Sequence, residues 1–515
     1  MKQELYSTKS GFYKVFRTVP GVFLITFLAS PLWATLLGIP QIIFYYVTFL
    51  SVFWLYKIIV SSVGMIVGYS RYKKAKAINW DEKLNEQIAN WQNLHDIEDL
   101  PQSIDKLFHL VLIPVYKEPY EVLKRTFDAI INSKYDLKHI MVVIALEERA
   151  GAEAEARIKR IISEYKTYFK ELTYILHPQD IPGEAIGIAG PNLNYAAQKY
   201  TAKLIKEGYN LKHIITTKFD SDTVISDDFF QQLTYKFLET KNRLNKFYSA
   251  AVVLYMNNYW RVPILMRIFS GLLSLVLLSE WVTDKSKKQS FSQYSFSLYT
   301  LDKIGYWDPE IGVDDTGFFW KAYIYLDGDF AGEEFYSSIS MDAVEAEDSF
   351  KTHINQYKQM LRWGWGVIVF PIGFEGLLKN KKITIGKKLH KFILLFEVYI
   401  FWTTAVYFLT LSIPILLSLN RKYVFWGIGH TLPKITSFIL TISMLGLLPS
   451  RFILEELYGP PPKEKGKLFF IFHYFEQLLL MVNAMIYNLI PYGQAQIEMM
   501  LGKKRIYYVT DKRTR

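Results

Sequence analysis

The chain contains no cysteine. Disulfides and thiolate metal sites are therefore excluded, while the redox compartment stays open, because an absence of cysteine fits any of them. Its nine histidines show no metal-ligand spacing of the H-E-x-x-H kind. No fixed-period repeat or low-complexity tract is present, and no RNA- or DNA-binding motif accompanies the net charge of +11. No series of intramembrane charges and no inverted repeat marks a transporter. Residues 18–56 lack any charged side chain. A bound metal is left with carboxylates, and part of the chain is left with a membrane.

What is present fits that division. Hydrophobic residues make up 50% and aromatic residues 16%, yet 21% are charged, too apolar for an ordinary enzyme and too charged for a pure membrane bundle. A chain of 515 residues accommodates one large domain plus spans. At roughly 20 residues per spanning helix, 18–56 fits two helices joined around Gly38-Ile39-Pro40. Lys2, Lys9, Lys14 and Arg17 precede this pair, and Arg71, Lys73, Lys74 and Lys76 follow it, so the positive-inside rule places both ends in the cytoplasm. The length of the apolar stretch argues against a cleaved signal peptide. Between Arg267 and Glu280 lie 12 uncharged residues, too short to span and read as a core or interfacial amphipathic helix. Longer hydrophobic stretches follow at 392–419, 423–448 and 468–490. To keep the basic tail of Lys503, Lys504 and Arg505 inside, the last stretch is expected to lie along or re-enter the cytoplasmic face. It also carries His473, Glu476, Gln477, Asn483 and Asn488. Four spans result.

From residue 107 short apolar runs alternate with helical segments: LFHLVLIPVY, a helix over about 119–132, HIMVVIAL, a charged helix over 152–169, LTYILH, and later HIITTKFD. This alternation predicts βαβ units and a mostly parallel sheet. The expected organisation is a membrane hairpin (1–76), a polar helical linker (77–105), an α/β domain (106–378) and C-terminal membrane and interfacial helices (379–515).

The sequence KFDSDT, Lys218 to Thr223, ends one of these strands. It delivers Asp220 and Asp222 to the carboxyl edge, where open α/β sheets bind ligands. Such a pair suits Mg²⁺ or Mn²⁺, which take one or two protein carboxylates and fill their other positions with water and phosphate oxygens, and so points to a nucleoside diphosphate. The alternative is a solvated acidic turn. The first strand ends in Pro114, Tyr116 and Glu118, a ring that can stack on a base and a carboxylate that can accept its N–H or ribose hydroxyls. An ordinary strand end is the other reading. Asp314 and Asp315 precede Gln359, Arg362 and Trp363 by about forty-five residues. An Asp-Asp pair also makes a helix N-cap, and Trp363 a membrane-interface anchor.

In this order the segments resemble the membrane-embedded, inverting family 2 glycosyltransferases. The likeness rests on I-P-x-Y-x-E at Ile113–Glu118, F-D-x-D at Phe219–Asp222 and Q-x-x-R-W at Gln359–Trp363, the last a signature of cellulose, hyaluronan and ceramide glucosyl transferring enzymes. It spans about 107–370, and the tail GKKRIYYVTDK also looks like the end of related enzymes. The resemblance implies a GT-A fold, Rossmann-like, in a cytoplasmic domain of an integral membrane protein of the cell membrane. It implies a nucleotide-sugar donor, a UDP-sugar first, and a membrane lipid or growing glycan as acceptor. By the same resemblance Asp222 is expected to hold the metal, with Asp220 on the metal or ribose, and Asp315 to be the general base, with Asp314 where the family usually has Glu. Pro114, Tyr116, Glu118, Glu147, Gln359, Arg362 and Trp363 join Asp220 around the donor. Two departures stand out. The second strand runs into Glu147 and Glu148 where the family commonly has aspartates at the base, and IGIAGPNLNYAA, 186–197, lacks the lysine of the family's G-K-x-x-A-L-N. Asn192 and Asn194 remain there as polar groups. The other class of reading is a non-catalytic membrane scaffold that keeps the fold; retention of Asp220, Asp222, Asp315 and Arg362 speaks against it.

Overall fold

The computed structural model describes residues 5–425, 427–445 and 448–503, so Lys2 and the basic residues Lys504 and Arg505, with the rest of the tail, lie outside the described residues. At its centre is an eight-stranded sheet of order β3-β2-β1-β4-β7-β6-β8-β5. The strands are β1 Phe108–Val115, β2 Ile140–Glu147, β3 Glu171–His177, β4 Ile214–Lys218, β5 Val224–Ile225, β6 Lys246–Leu254, β7 Tyr294–Ser297 and β8 Ala331–Ser340. Side chains alternate along β1: Leu110 and Leu112 enter one hydrophobic core, Val111 and Ile113 the other. Both faces are buried, which is why the strand reads as a continuous apolar run.

β1 to β4 are mutually parallel, and β6 and β8 run the same way. β7 runs antiparallel between β4 and β6, and the short β5 antiparallel beside β8. The expected mostly parallel sheet is therefore a mixed one. β7 is only four residues of alternating Ser and aromatic side chains, too short and polar for its place in the middle of the sheet to show in the sequence.

Four helices among the described residues are long and apolar enough to cross a membrane: Gly11–Leu28, Gln41–Lys76, Ile264–Thr283 and Ile385–Leu419. This set differs from the expected one. Ile264–Thr283 has 20 residues because Arg267 and Glu280 lie within the helix and do not end it. It is also largely covered, packing on β6 and on Gln41–Lys76. Gly64 and Gly68 make that approach possible, since a Cβ at Gly64 would collide with Ser279 and one at Gly68 would meet Leu278 at 2.8 Å. Gly427–Leu445, from the expected fourth span, contains Pro433 and carries His430 and Lys434, and is not among the four. Residues 466–500 form a run of short helices, of which Ile490–Met500 packs against Ser349–Gly364. The segment 77–105 forms the helix Trp80–Ala89 and three short turns, with Leu84, Trp91 and Leu100 buried.

Candidate active site

β4 stops at Lys218, and the chain leaves the sheet through Phe219–Thr223 before returning as β5. Phe219 is buried and its N–H donates to the Leu112 carbonyl at 3.0 Å, pinning this loop to the carboxyl edge of β1. Because β7 is antiparallel to β4, with Tyr294 opposite Lys218, the residues entering β7 arrive over the same loop. Asp314 and Asp315 come from a third direction, at the cap and first turn of the helix Asp315–Tyr325. Tyr294 donates to the Asp314 carbonyl and Ser290 to that of Asp315, at 2.8 and 2.7 Å, which fixes this helix start beside β7. The N-cap reading of the Asp-Asp pair is thus met in position, although the Asp314 side chain caps no N–H.

Two residues tie the acids together. The Lys218 ammonium donates to Asp220 Oδ1 at 2.7 Å and to the Ser292 carbonyl at 3.1 Å, and lies 3.0 Å from Asp314 Oδ2. Burial pulls this ammonium down, but Asp220 and Asp314 outweigh burial and hold it above the usual lysine value. Ser292 Oγ donates to Asp220 Oδ2 at 2.8 Å, and its N–H faces Asp315 Oδ2 at 3.5 Å. Asp315 Oδ1 accepts from the Thr316 N–H at 2.6 Å. Burial pushes the Asp315 carboxyl up to about 6; the charge of Asp314 adds to this and Lys218 opposes it.

Asp222 is buried, and its Oδ2 accepts the Asp342 N–H at 3.2 Å, beside the end of β8. Asp342 is itself held by Arg125, at 2.9 and 3.1 Å, and by Asn257 at 2.8 Å. Pro114, Tyr116, Glu118 and Glu147 occupy the carboxyl ends of β1 and β2 next door. Glu118 folds back to accept the Tyr116 N–H at 2.7 Å. Burial raises the Glu147 carboxyl, with Arg149 at 3.9 Å opposing and Glu118 and Glu184 adding. Asn192 donates to the Ala145 carbonyl at 2.7 Å, tying the helix Ala189–Lys206 to β2, and Asn194 accepts from Gln198 of the same helix at 3.2 Å.

Gln359, Arg362 and Trp363 lie half-buried on the helix Ser349–Gly364. Trp363 reaches the acids through Phe291, the neighbour of Ser292: the two rings stand edge to face at 5.9 Å, and Phe269 lies at the same distance on another side. Arg362 has a buried Nε without a hydrogen-bond partner among the described residues.

Among the described residues no group of three or more His, Asp or Glu converges to hold a metal. Asp220 and Asp222 suit a hard cation in ligand type, and Mg²⁺ or Mn²⁺ needs only one or two carboxylates when phosphate oxygens and water complete the shell. The pair thus fits an ion that arrives with a diphosphate and does not form a cage. A cleft of about 430 Å³ lies elsewhere, lined by Lys76, Trp80, Lys134 and Asp227, and contains none of these residues.

Sequence reasoning missed Lys218, Ser292 and Asp342. Lys218 left a signal, being the only charge in an otherwise uncharged strand; a buried lysine requires partners. Ser292 and Asp342 left none.

No family model and no curated protein matches the chain. Among solved structures it is similar to the mannosyltransferase PcManGT from Pyrobaculum calidifontis in complex with GDP-Man and Mn²⁺, at 12% identity and TM-score 0.38, over 78% of this chain and 99% of that one. It is also similar to S. aureus TarS 1–349, at 10% identity and TM-score 0.32, over 77% and 92%. The complex of that protein with UDP-GlcNAc gives 11% and 0.33, over 77% and 93%. At such TM-scores these likenesses carry no argument.

Proposed function

We propose that the protein is a membrane-integrated, inverting glycosyltransferase of the GT-A type, working at the cytoplasmic face of the cell membrane. It moves a sugar from a nucleotide-sugar donor, a UDP-sugar first, to a lipid or growing polysaccharide. The observation that carries this reading is the convergence of Asp220, Asp314 and Asp315 on one sheet edge, with Asp222 two residues beyond Asp220 in the same loop and the Arg362–Trp363 helix joined to that edge through Phe291.

The chemistry assigns each residue type a task. The acceptor oxygen attacks the anomeric carbon as the bond to the diphosphate breaks on the opposite face, and Asp315 takes the hydroxyl proton. Asp314 supports Asp315, and Arg362 offers a fixed planar cation to a phosphate oxygen. Trp363 presents an apolar platform to a sugar face, with Gln359 one helical turn away. Pro114, Tyr116, Glu118 and Glu147 border the base and ribose. Mg²⁺ or Mn²⁺, held by Asp222 and Asp220, would stabilise charge on the leaving diphosphate.

The test is release of nucleoside diphosphate from a panel of nucleotide sugars by the purified full chain, with and without chelator. Chelator-sensitive release from one donor is expected, and Asp222→Ala should slow it about 10²–10³-fold. Unchanged turnover in that variant would sink the metal role. Silence across the panel from folded protein, with lipid and glycan acceptors supplied, would favour the scaffold reading.

A further inference from the structure

The reaction above uses Asp222, Asp315 and Arg362 and gives no task to Lys218 or Ser292, although these two make the contacts that unite the site. Lys218 is 3% exposed, and its ammonium contacts both Asp220, at 2.7 Å, and Asp314, at 3.0 Å. Ser292 has φ of 49°, in the left-handed region that non-glycine residues rarely occupy outside sites that impose it. That conformation lets one residue present three groups: its carbonyl to Lys218, its Oγ to Asp220 and its N–H to Asp315. Both oxygens of Asp220 are thereby engaged, one by each bridging residue.

We propose that Lys218 and Ser292 form a bridge yoking the metal-side carboxylate Asp220 to the Asp314–Asp315 pair, with Lys218 a built-in cation that competes with a divalent ion for Asp220. Lys218 is then a positioning residue. It sets the distance between the donor end of the site and the base, and it keeps resident metal affinity low, so that the ion is held well only when a diphosphate supplies further oxygens. The inference rests on the glycosyltransferase reading. Three arguments support it. The ammonium is too deeply enclosed to serve as a free phosphate hook. Its partners come from three separate segments that meet only in the folded chain. A buried cation 2.7 Å from one oxygen of a carboxylate opposes the approach of a second cation to that carboxylate.

The experiment measures Mn²⁺ binding by electron paramagnetic resonance and donor turnover on the full chain in detergent. Lys218→Met keeps the aliphatic stem and removes the charge. It should bind Mn²⁺ about tenfold tighter while turning over about a hundredfold more slowly through loss of positioning. Lys218→Arg, which keeps the charge, should bind Mn²⁺ as the parent does and recover part of the turnover. Ser292→Ala should slow turnover with a smaller change in Mn²⁺ affinity. A merely structural lysine cannot give tighter metal together with slower chemistry. Should Lys218→Met fail to fold, the double variant Lys218→Met/Asp314→Asn, which removes a carboxylate with the ammonium, is compared with Asp314→Asn alone. Mn²⁺ binding unchanged or weaker in a folded charge-removed variant overturns the inference. A parent protein that neither binds Mn²⁺ nor releases nucleoside diphosphate overturns the glycosyltransferase reading, and this inference with it.

Discussion

Two clusters of buried charge can be set side by side. Among the helices, Arg267 pairs with Glu476, His473 Nδ1 lies 2.8 Å from Glu476, and Arg451 meets both His473 and Glu455, the latter at 2.7 Å. Two guanidiniums stand against two carboxylates with an imidazole between them, so charges of opposite sign are matched. At the sheet edge one ammonium contacts Asp220 and Asp314, with Asp315 next in the chain. A balanced network can hold helices in register, whereas an excess of one sign in a cleft calls for a partner of the other. Burial of charge is common to both clusters. What distinguishes the candidate active site is imbalance.

That contrast can be broken by experiment. The largest effect is expected for Asp315→Asn, which should lower sugar transfer by about 10²–10⁴-fold with nucleotide affinity retained. If donor affinity collapses in parallel, Asp315 is not the base. In the balanced cluster, Glu476→Gln leaves Arg267 buried beside a neutral partner and should cost about 3 kcal/mol of stability. Denaturation in detergent reads that loss, and turnover per folded molecule should not change. A turnover defect in the folded fraction would mean that the helical cluster also serves the reaction.

The smallest effect concerns pH. Since burial and Asp314 raise Asp315 to about 6, and the base form is the deprotonated one, turnover should decline as pH falls through about 6. It should be down about tenfold one unit below. An acid limb near the ordinary carboxylate range would remove Asp315 from that role. Asp314→Asn should move the limb to lower pH. Because folding raises this pKa, the stability contributed by Asp315 is present in acid and is lost as pH rises through about 6.

Much of the candidate site is legible in local sequence pattern. The D-x-D at the end of an apolar run, the strand end at Pro114–Glu118 and the Q-x-x-R-W segment are local patterns, set by a strand's need to be apolar and a ligand edge's need to be polar. The spans were less legible. An uncharged run of 12 residues understated a helix of 20, because Arg267 and Glu280 are neutralised within the fold.

The sequence by itself determined the alternation of strands and helices, the carboxylates that reach the sheet edge and the aromatic and basic helix that follows them, since these depend on neighbours a few residues apart. Only the tertiary structure decided that β7 enters the sheet against the direction of β4. From that follow Ser292 over Asp220, the Lys218 ammonium between Asp220 and Asp314, and Trp363 against Phe291. Apart from the local Lys218–Asp220 contact, these join residues roughly 70 to 100 positions apart in the chain. No local periodicity records such a pairing, because it is chosen by which strand completes the hydrogen-bonded ladder and buries its face, a property of the whole fold.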